Sequence, residues 1–266
     1  MSTEATEGAS NIAGWYGKMP CLGDFASRRL TPEFITPWDA WLQRSIATSR
    51  QQLGEQWLDI YLTSPMWRFV LSPGICDERA CAGLLVPSVD KVGRYFPLTL
   101  VQPLEKADGD LVHLLGMQDW FAGLERIGLA ALNADYSAAE LEAALAEHPF
   151  PALSASDMPP GTRNLFDCLR DPQPEAQSFH LGSVANLGGA AAAAARAYVT
   201  AAGAGKSWWW SVDQESGAVE FHYSAQLPPD DYFTVLLGGS RVSAAPDAAG
   251  TMSVDPLQAF DAAAAK

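Results

Sequence analysis

Residues 65–103 constrain the fold more than any other part of the chain. Three short β-rich runs, PMWRFVLSPG, CAGLLVPS and RYFPLTLVQP, follow one another with only turn-forming segments between them. Runs this close, divided by Gly, Pro and Asp, predict consecutive antiparallel strands. Pro97 inside the third predicts an edge position or a bulge, because proline has no N–H for a ladder. Between the second and third runs lies the polar segment PSVDKVGR, residues 87–94. Asp90 and Gly93 suit a chain reversal, so the plain reading is a turn or an internal brace. A turn does not require Arg94 beside Tyr95 and Phe96. There a guanidinium could lie over an aromatic face or grip a carboxylate such as Asp24, and the segment would then display a site.

The elements around these runs follow from period and capping. Ile12–Met19 reads as a first strand ending at Pro20, and CLGDFASRR as a loop built on Gly23 and Asp24. Thr36 as cap, Pro37 at the first helical position and Asp39 predict a helix that carries Trp38, Trp41, Leu42, Ile46 and Leu53 on one face and ends at Gly54. Residues 110–133 are helical in period, weakened by Gly116, Gly123 and Gly128. Ser137 and Glu140 form a capping box for the next helix. An Ala-rich helix (Ala190–Ala202), a hairpin of SWWWSV and AVEFHY, and a short helix near PDDYFTVLLGG complete the series. The order predicts an α/β protein: a central mixed, largely antiparallel sheet with helices packed on both faces, a three-layer α/β/α arrangement. Residues 1–10 read as a disordered tail, 11–240 as a single α/β domain and 241–266 as an Ala/Pro-rich C-terminal segment. The Pro-, Ser- and Asp-rich stretch 149–177 is a possible lobe boundary.

Composition narrows the function. A formal net charge of −14 argues against nucleic acid and against an anionic membrane surface, and favours a basic partner. The N-terminal MSTEATEGAS lacks the features of a signal peptide, and the Ala/Gly run interrupted by Arg196 is a poor membrane span. A cytoplasmic location is expected, with Cys21, Cys76, Cys81 and Cys168 reduced. Cys76 and Cys81 have no CxxC or neighbouring His to complete a zinc site, so no metal or other cofactor is expected. Each of the nine tryptophans needs a partner for its indole N–H or must keep it wet. In the run Trp208–Trp210 the side chains alternate between faces; all three are core if both faces are covered.

Catalytic patterns do not assemble. GAGKS, residues 203–207, lacks the Gly that a P-loop needs, since position 200 is Thr, and it lies between a helix and a strand in the wrong order. Gly203 and Gly205 more simply end the Ala-rich helix. There is no G-x-S-x-G. His113, His148, His180 and His222 sit apart, though one could still meet Ser88 or Cys21 in space. Asp230 and Asp231 read as charges at a helix start. The polar groups placed together are Asp24 with Arg28 and Arg29, and the cluster Ser88, Asp90, Lys91 and Arg94.

These same residues carry a resemblance. GWYGKMPCLGDFASRRL, FITPWDAWLQRSI, PMWRFVLSPGIC and above all GLLVPSVDKVGRYFPLTL resemble the TagF family of type VI secretion-associated proteins, over roughly residues 13–240. The resemblance implies a cytoplasmic accessory protein that acts as a post-translational repressor of a bacterial type VI secretion system. It implies a protein partner such as a forkhead-associated (FHA) domain scaffold, and no catalysis by this domain. Some members carry a fused phosphatase; no room is left for one after residue 240, so any phosphatase would be separate. Carried over by motif, Asp24 and Phe25 occupy the G-D-F positions, and Ser88, Asp90, Gly93, Arg94, Phe96 and Pro97 the P-S-x-D-x-V-G-R-x-F-P positions.

The leading expectation is a non-enzymatic binding protein whose candidate contact residues are Asp24, Phe25, Ser88, Asp90, Arg94 and Phe96. An alternative is a small metal-dependent hydrolase using Asp24 and Asp90, which requires those carboxylates to converge in a pocket. A third reading makes the motif block a folding signature, with partners bound elsewhere.

Overall fold

The computed structural model describes residues 11–104, 110–151, 159–171, 178–180 and 183–238. The tail 1–10 and the segment 241–266 discussed above lie outside the described residues. One seven-stranded sheet has the order β2-β1-β5-β4-β3-β6-β7, and every pair of neighbouring strands is antiparallel. Its centre is the predicted triplet: β3 (Trp67–Leu71), β4 (Cys81–Val86) and β5 (Leu98–Pro103). To one side β5 pairs with β1 (Gly14–Gly17), which pairs with β2 (Ala26–Arg28). To the other, β3 pairs with β6 (Lys206–Val212) and β6 with β7 (Val219–Ala225).

Every residue of β3 and β4 is buried, as a central strand covered on both faces requires. One face meets α1 (Pro32–Leu53), α2 (Trp57–Leu62) and α8 (Phe233–Gly238) through Phe34, Trp38, Trp41, Tyr61 and Phe233. The other meets α3 (Leu111–Gly116), α4 (Gln118–Ala130) and α5 (Ala138–Glu147) through Leu114, Phe121, Leu124, Leu141 and Leu145. The three-layer α/β/α arrangement is therefore present. The two remaining helices, α6 (Thr162–Arg170) and α7 (Val184–Ala202), pack on each other.

Three local expectations are corrected. The first long helix starts at Pro32 behind Thr31, not at Thr36, and runs through Pro37. Giving up one helical hydrogen bond at Pro37 is outweighed by burying Phe34, whose ring stacks on Trp38 at 5.5 Å. Pro97 stands one residue ahead of β5, where no ladder N–H is needed, and β5 is an interior strand. The helical stretch 110–133 is two helices, broken at Met117; Asp110 caps the first by accepting from Val112 N and His113 N. The Ser137–Glu140 capping box forms as read. Within 149–177 the described residues include α6, and β6 beyond it pairs with β3 before it, so strands from both sides share the sheet.

The indole N–H groups divide unevenly. Six tryptophans donate: Trp15 to Glu142, Trp38 to Thr99, Trp41 to the Pro228 carbonyl, Trp57 to Ser49, Trp67 to the Leu236 carbonyl and Trp209 to Ser207. The indole nitrogens of Trp120, Trp208 and Trp210 are buried without a partner among the described residues. In β6, Trp209 faces the α1 side and Trp210 the α4 side, both buried, while Trp208 is half-buried.

Candidate functional site

The site grows from the connection between β4 and β5. After Pro87 the chain reverses tightly: Asp90 N donates to Arg94 O at 3.0 Å, Gly93 N donates to Asp90 O at 3.0 Å, and Val89 pairs with Tyr95. Gly93 takes φ +84°, a conformation glycine adopts without strain. The Asp90 side chain folds into its own turn. Oδ1 accepts from Val92 N at 3.0 Å and Arg94 N at 2.8 Å; Oδ2 accepts from Lys18 Nζ at 2.9 Å and Arg94 Nε at 2.6 Å. Burial alone would raise this carboxyl's pKa. The donors, with the Arg94 amide foremost, outweigh it and hold the group well below the usual carboxylate range.

Ser88 is equally committed. Its hydroxyl donates to Lys18 O at 2.8 Å, its amide donates to the Tyr61 hydroxyl at 3.1 Å, and that hydroxyl donates to Ser88 O at 2.9 Å. Burial raises the Tyr61 pKa, which keeps the phenol protonated and able to donate. Phe96 N closes the loop onto Ser88 O at 3.1 Å. The loop then grips the segment that follows β1: Lys91 N donates to Leu22 O at 2.9 Å and Arg94 Nη2 to Gly23 O at 2.5 Å.

Of the six expected contact residues, Ser88, Asp90 and Phe96 are thus buried. Asp24, Phe25 and Arg94 come together at the surface beside them. Arg94 Nη2 lies 4.0 Å from Asp24 Oδ1. Phe25 is 42% exposed yet fixed: it stacks on Tyr16 at 5.9 Å, meets Phe96 edge-on at 4.8 Å and carries Lys18 Nζ over its ring at 4.8 Å. The segment is an internal brace that leaves the Arg94 side chain at the surface. Arg28 and Arg29, expected near Asp24, turn elsewhere. Arg28 lies over Trp15, and Arg29 pairs with Glu142 and donates to the Ala13 carbonyl.

Sequence reasoning missed three things here. Lys18 lay within the expected first strand and Tyr61 was not singled out; they partner the loop across 70 and 27 residues respectively. On the far side of Arg94, a cleft of about 660 Å³ is lined by Arg50, Glu55, Trp57, Gly93, Arg94 and Tyr95, with the Arg50 guanidinium 4.2 Å from the Trp57 ring. Elsewhere Arg68 makes a paired contact with Glu125, Nε–Oε1 at 2.7 Å and Nη2–Oε2 at 2.8 Å, and Nη1 donates to Gln118 at 2.6 Å. That pair braces β3 to α4.

The two carboxylates of the hydrolase alternative do not converge: Asp90 is occupied by four donors, and Asp24 stands at the surface facing Arg94. Among the described residues no group of three His, Cys, Asp or Glu side chains is placed to hold a metal ion. Among the described residues no histidine contacts Ser88, whose hydroxyl is spent on a backbone carbonyl. A carboxylate–imidazole–hydroxyl row does exist, with Glu220 3.0 Å from His222 Nε2 and the Tyr232 hydroxyl 2.6 Å from Nδ1. Burial and then Glu220 push the Tyr232 pKa up, the wrong direction for a nucleophile. Around GAGKS, Lys206 Nζ donates to Ala202 O at the end of α7, which is a helix stop. No helix among the described residues is long and apolar enough to cross a membrane.

Comparison with known proteins places this geometry. A family model described as the TagF N-terminal domain, type VI secretion system-associated, matches residues 14–148. Among solved structures the chain is similar to PA0076 from Pseudomonas aeruginosa PAO1, with 33% identity and a TM-score of 0.64, over 85% of this chain and 94% of that one. Comparison with curated proteins finds no match.

Proposed function

The chain belongs to the TagF family of type VI secretion system-associated proteins, and from that premise we propose that it is a non-enzymatic cytoplasmic negative regulator that works by occupancy. It holds a component of the secretion apparatus, such as an FHA-domain scaffold, on the surface formed by Asp24, Phe25 and Arg94. The observation that carries this reading is the division of labour between two neighbouring motifs. Ser88, Asp90 and Lys18 spend their polar groups fixing the β4–β5 loop, which leaves the Arg94 guanidinium outward, and buried Phe96 of that loop supports the Phe25 ring from the segment after β1. A half-exposed aromatic anchored on three sides loses little freedom on binding, which is how preformed surfaces gain affinity.

The cleft beside Arg94 extends this surface. Arg50 and Arg94 bring two guanidiniums to it, with Glu55 on the same wall and Arg94 shared with Asp90 and Asp24. Charges of both signs held in place fix the register of a partner segment.

The test is co-purification of the scaffold protein with the wild-type chain and with Arg94→Glu. Capture lost in a variant that keeps its melting temperature supports the assignment. Undiminished capture removes this face from the interface.

A further inference from the structure

The two edges of the sheet are built differently. The β2 edge is three residues long and ends on Arg28, with Arg29 turned at φ +57° to pair with Glu142; short, charged edges resist further pairing. The β7 edge is seven residues long, has no proline, and pairs with β6 in unbroken register from Val219 to Ala225. Its exposed side chains are apolar: Val219 is 59% exposed, Phe221 48% and Tyr223 68%.

The backbone of that edge can be assigned. Asp213 N donates to Ala218 O at 2.9 Å and Gln226 N to Gly205 O at 2.8 Å, so both ends of the β6–β7 ladder are hydrogen-bonded pairs. Such pairs alternate along an antiparallel ladder, which makes Glu220, His222 and Ser224 the inward-bonding residues. The amides and carbonyls of Val219, Phe221, Tyr223 and Ala225 therefore point away from the sheet, and among the described residues the Ala225 carbonyl alone of these has a partner, accepting from the Ser224 hydroxyl at 3.2 Å.

We propose that the β7 edge is a self-association surface on which a second copy of this chain adds its own β7 antiparallel, about a two-fold axis at His222. In that register Val219 pairs with the second copy's Ala225 and Phe221 with its Tyr223, and the reciprocal pairs follow. Every outward backbone group is then satisfied, which neither neighbouring register achieves. The same register sets Phe221 beside Tyr223 twice on one face, continuing the row begun by Trp208, whose ring lies 5.8 Å from Tyr223. It places Glu220 opposite Ser224 and His222 opposite its own copy, so no carboxylates meet. The interface is isologous and closes at two copies. It lies at the sheet edge opposite β2 and the Phe25 surface, and its success or failure is independent of the partner assignment.

Sedimentation velocity of the full chain over a range of concentrations tests this. The expected result is a concentration-dependent dimer that Tyr223→Lys abolishes with no loss of melting temperature. Leu129→Lys, at an exposed apolar position on α4, leaves it unchanged. A chain that stays monomeric at every concentration, or a dimer indifferent to Tyr223→Lys, overturns the proposal. So does an edge that takes up only an extended foreign peptide.

Discussion

Lys18 and Asp90 form an ion pair of 2.9 Å in which neither side chain is more than 6% exposed, and it ties the end of β1 to the loop between β4 and β5. A sealed pair of this kind fixes geometry more than it adds stability. Lys18→Met should therefore loosen the loop: the Lys91 and Arg94 amides, bonded to Leu22 O and Asp90 Oδ1, should exchange hydrogen faster than in the wild type. Unchanged exchange at those two amides would show that Arg94 alone holds the turn.

Acid should act through the same carboxylate. The Asp90 pKa is lowered in the folded state, so below the ordinary Asp value of about 3.9 the unfolded chain binds the proton more readily. The group's contribution is full above that value and is lost as pH falls through the much lower folded pKa. Glu142, whose carboxylate accepts from Arg29 and Trp15, shifts the same way. Urea midpoints measured from pH 6 downward should fall below about pH 4. The fall should be shallower in Asp90→Asn, which starts from a lower midpoint.

Arg68 and Glu125 are buried together, with side-chain exposures of 5% and 9%. Removing one partner leaves a buried charge. Glu125→Leu should cost about 3–5 kcal/mol, whereas Arg68→Met combined with Glu125→Leu should recover most of that loss. Equilibrium denaturation of the two single variants and the double variant completes the cycle.

The four thiols should react in two classes. Cys76 is pushed up to about 12 by burial and then by Asp77, and burial pushes Cys81 further. At pH 8 a pKa of 12 leaves roughly one thiolate in ten thousand. An alkylating agent followed by intact mass should modify the half-buried Cys21 and Cys168 in the native protein, and Cys76 and Cys81 only on unfolding.

Much of this fold was legible in the residues because its strands are short, apolar and divided by turn residues. The triplet β3–β5, the β6–β7 hairpin and the Ser137 box all follow from local pattern. What escaped was set by tertiary packing. Phe34 is buried against Trp38, so the helix begins before Pro37 and not at it. The site was half legible. Asp90 and Arg94 announce themselves as charges between buried runs, but a linear reading cannot show that Lys18, 72 residues away, completes the carboxylate's set of donors. Nor could it show that Arg68 has a partner on α4, since an arginine in a strand looks the same whether it faces water or glutamate.

The proposed function places the secretion-system partner on the Phe25–Arg94 face. Oxidative footprinting of the purified complex reads it directly, because Phe25 is an exposed ring held in place. Adding the FHA-domain scaffold should protect Phe25 and leave the exposed Leu129 on α4 as reactive as before. Phe25 equally reactive in free and bound protein, with protection appearing on another surface, would contradict it.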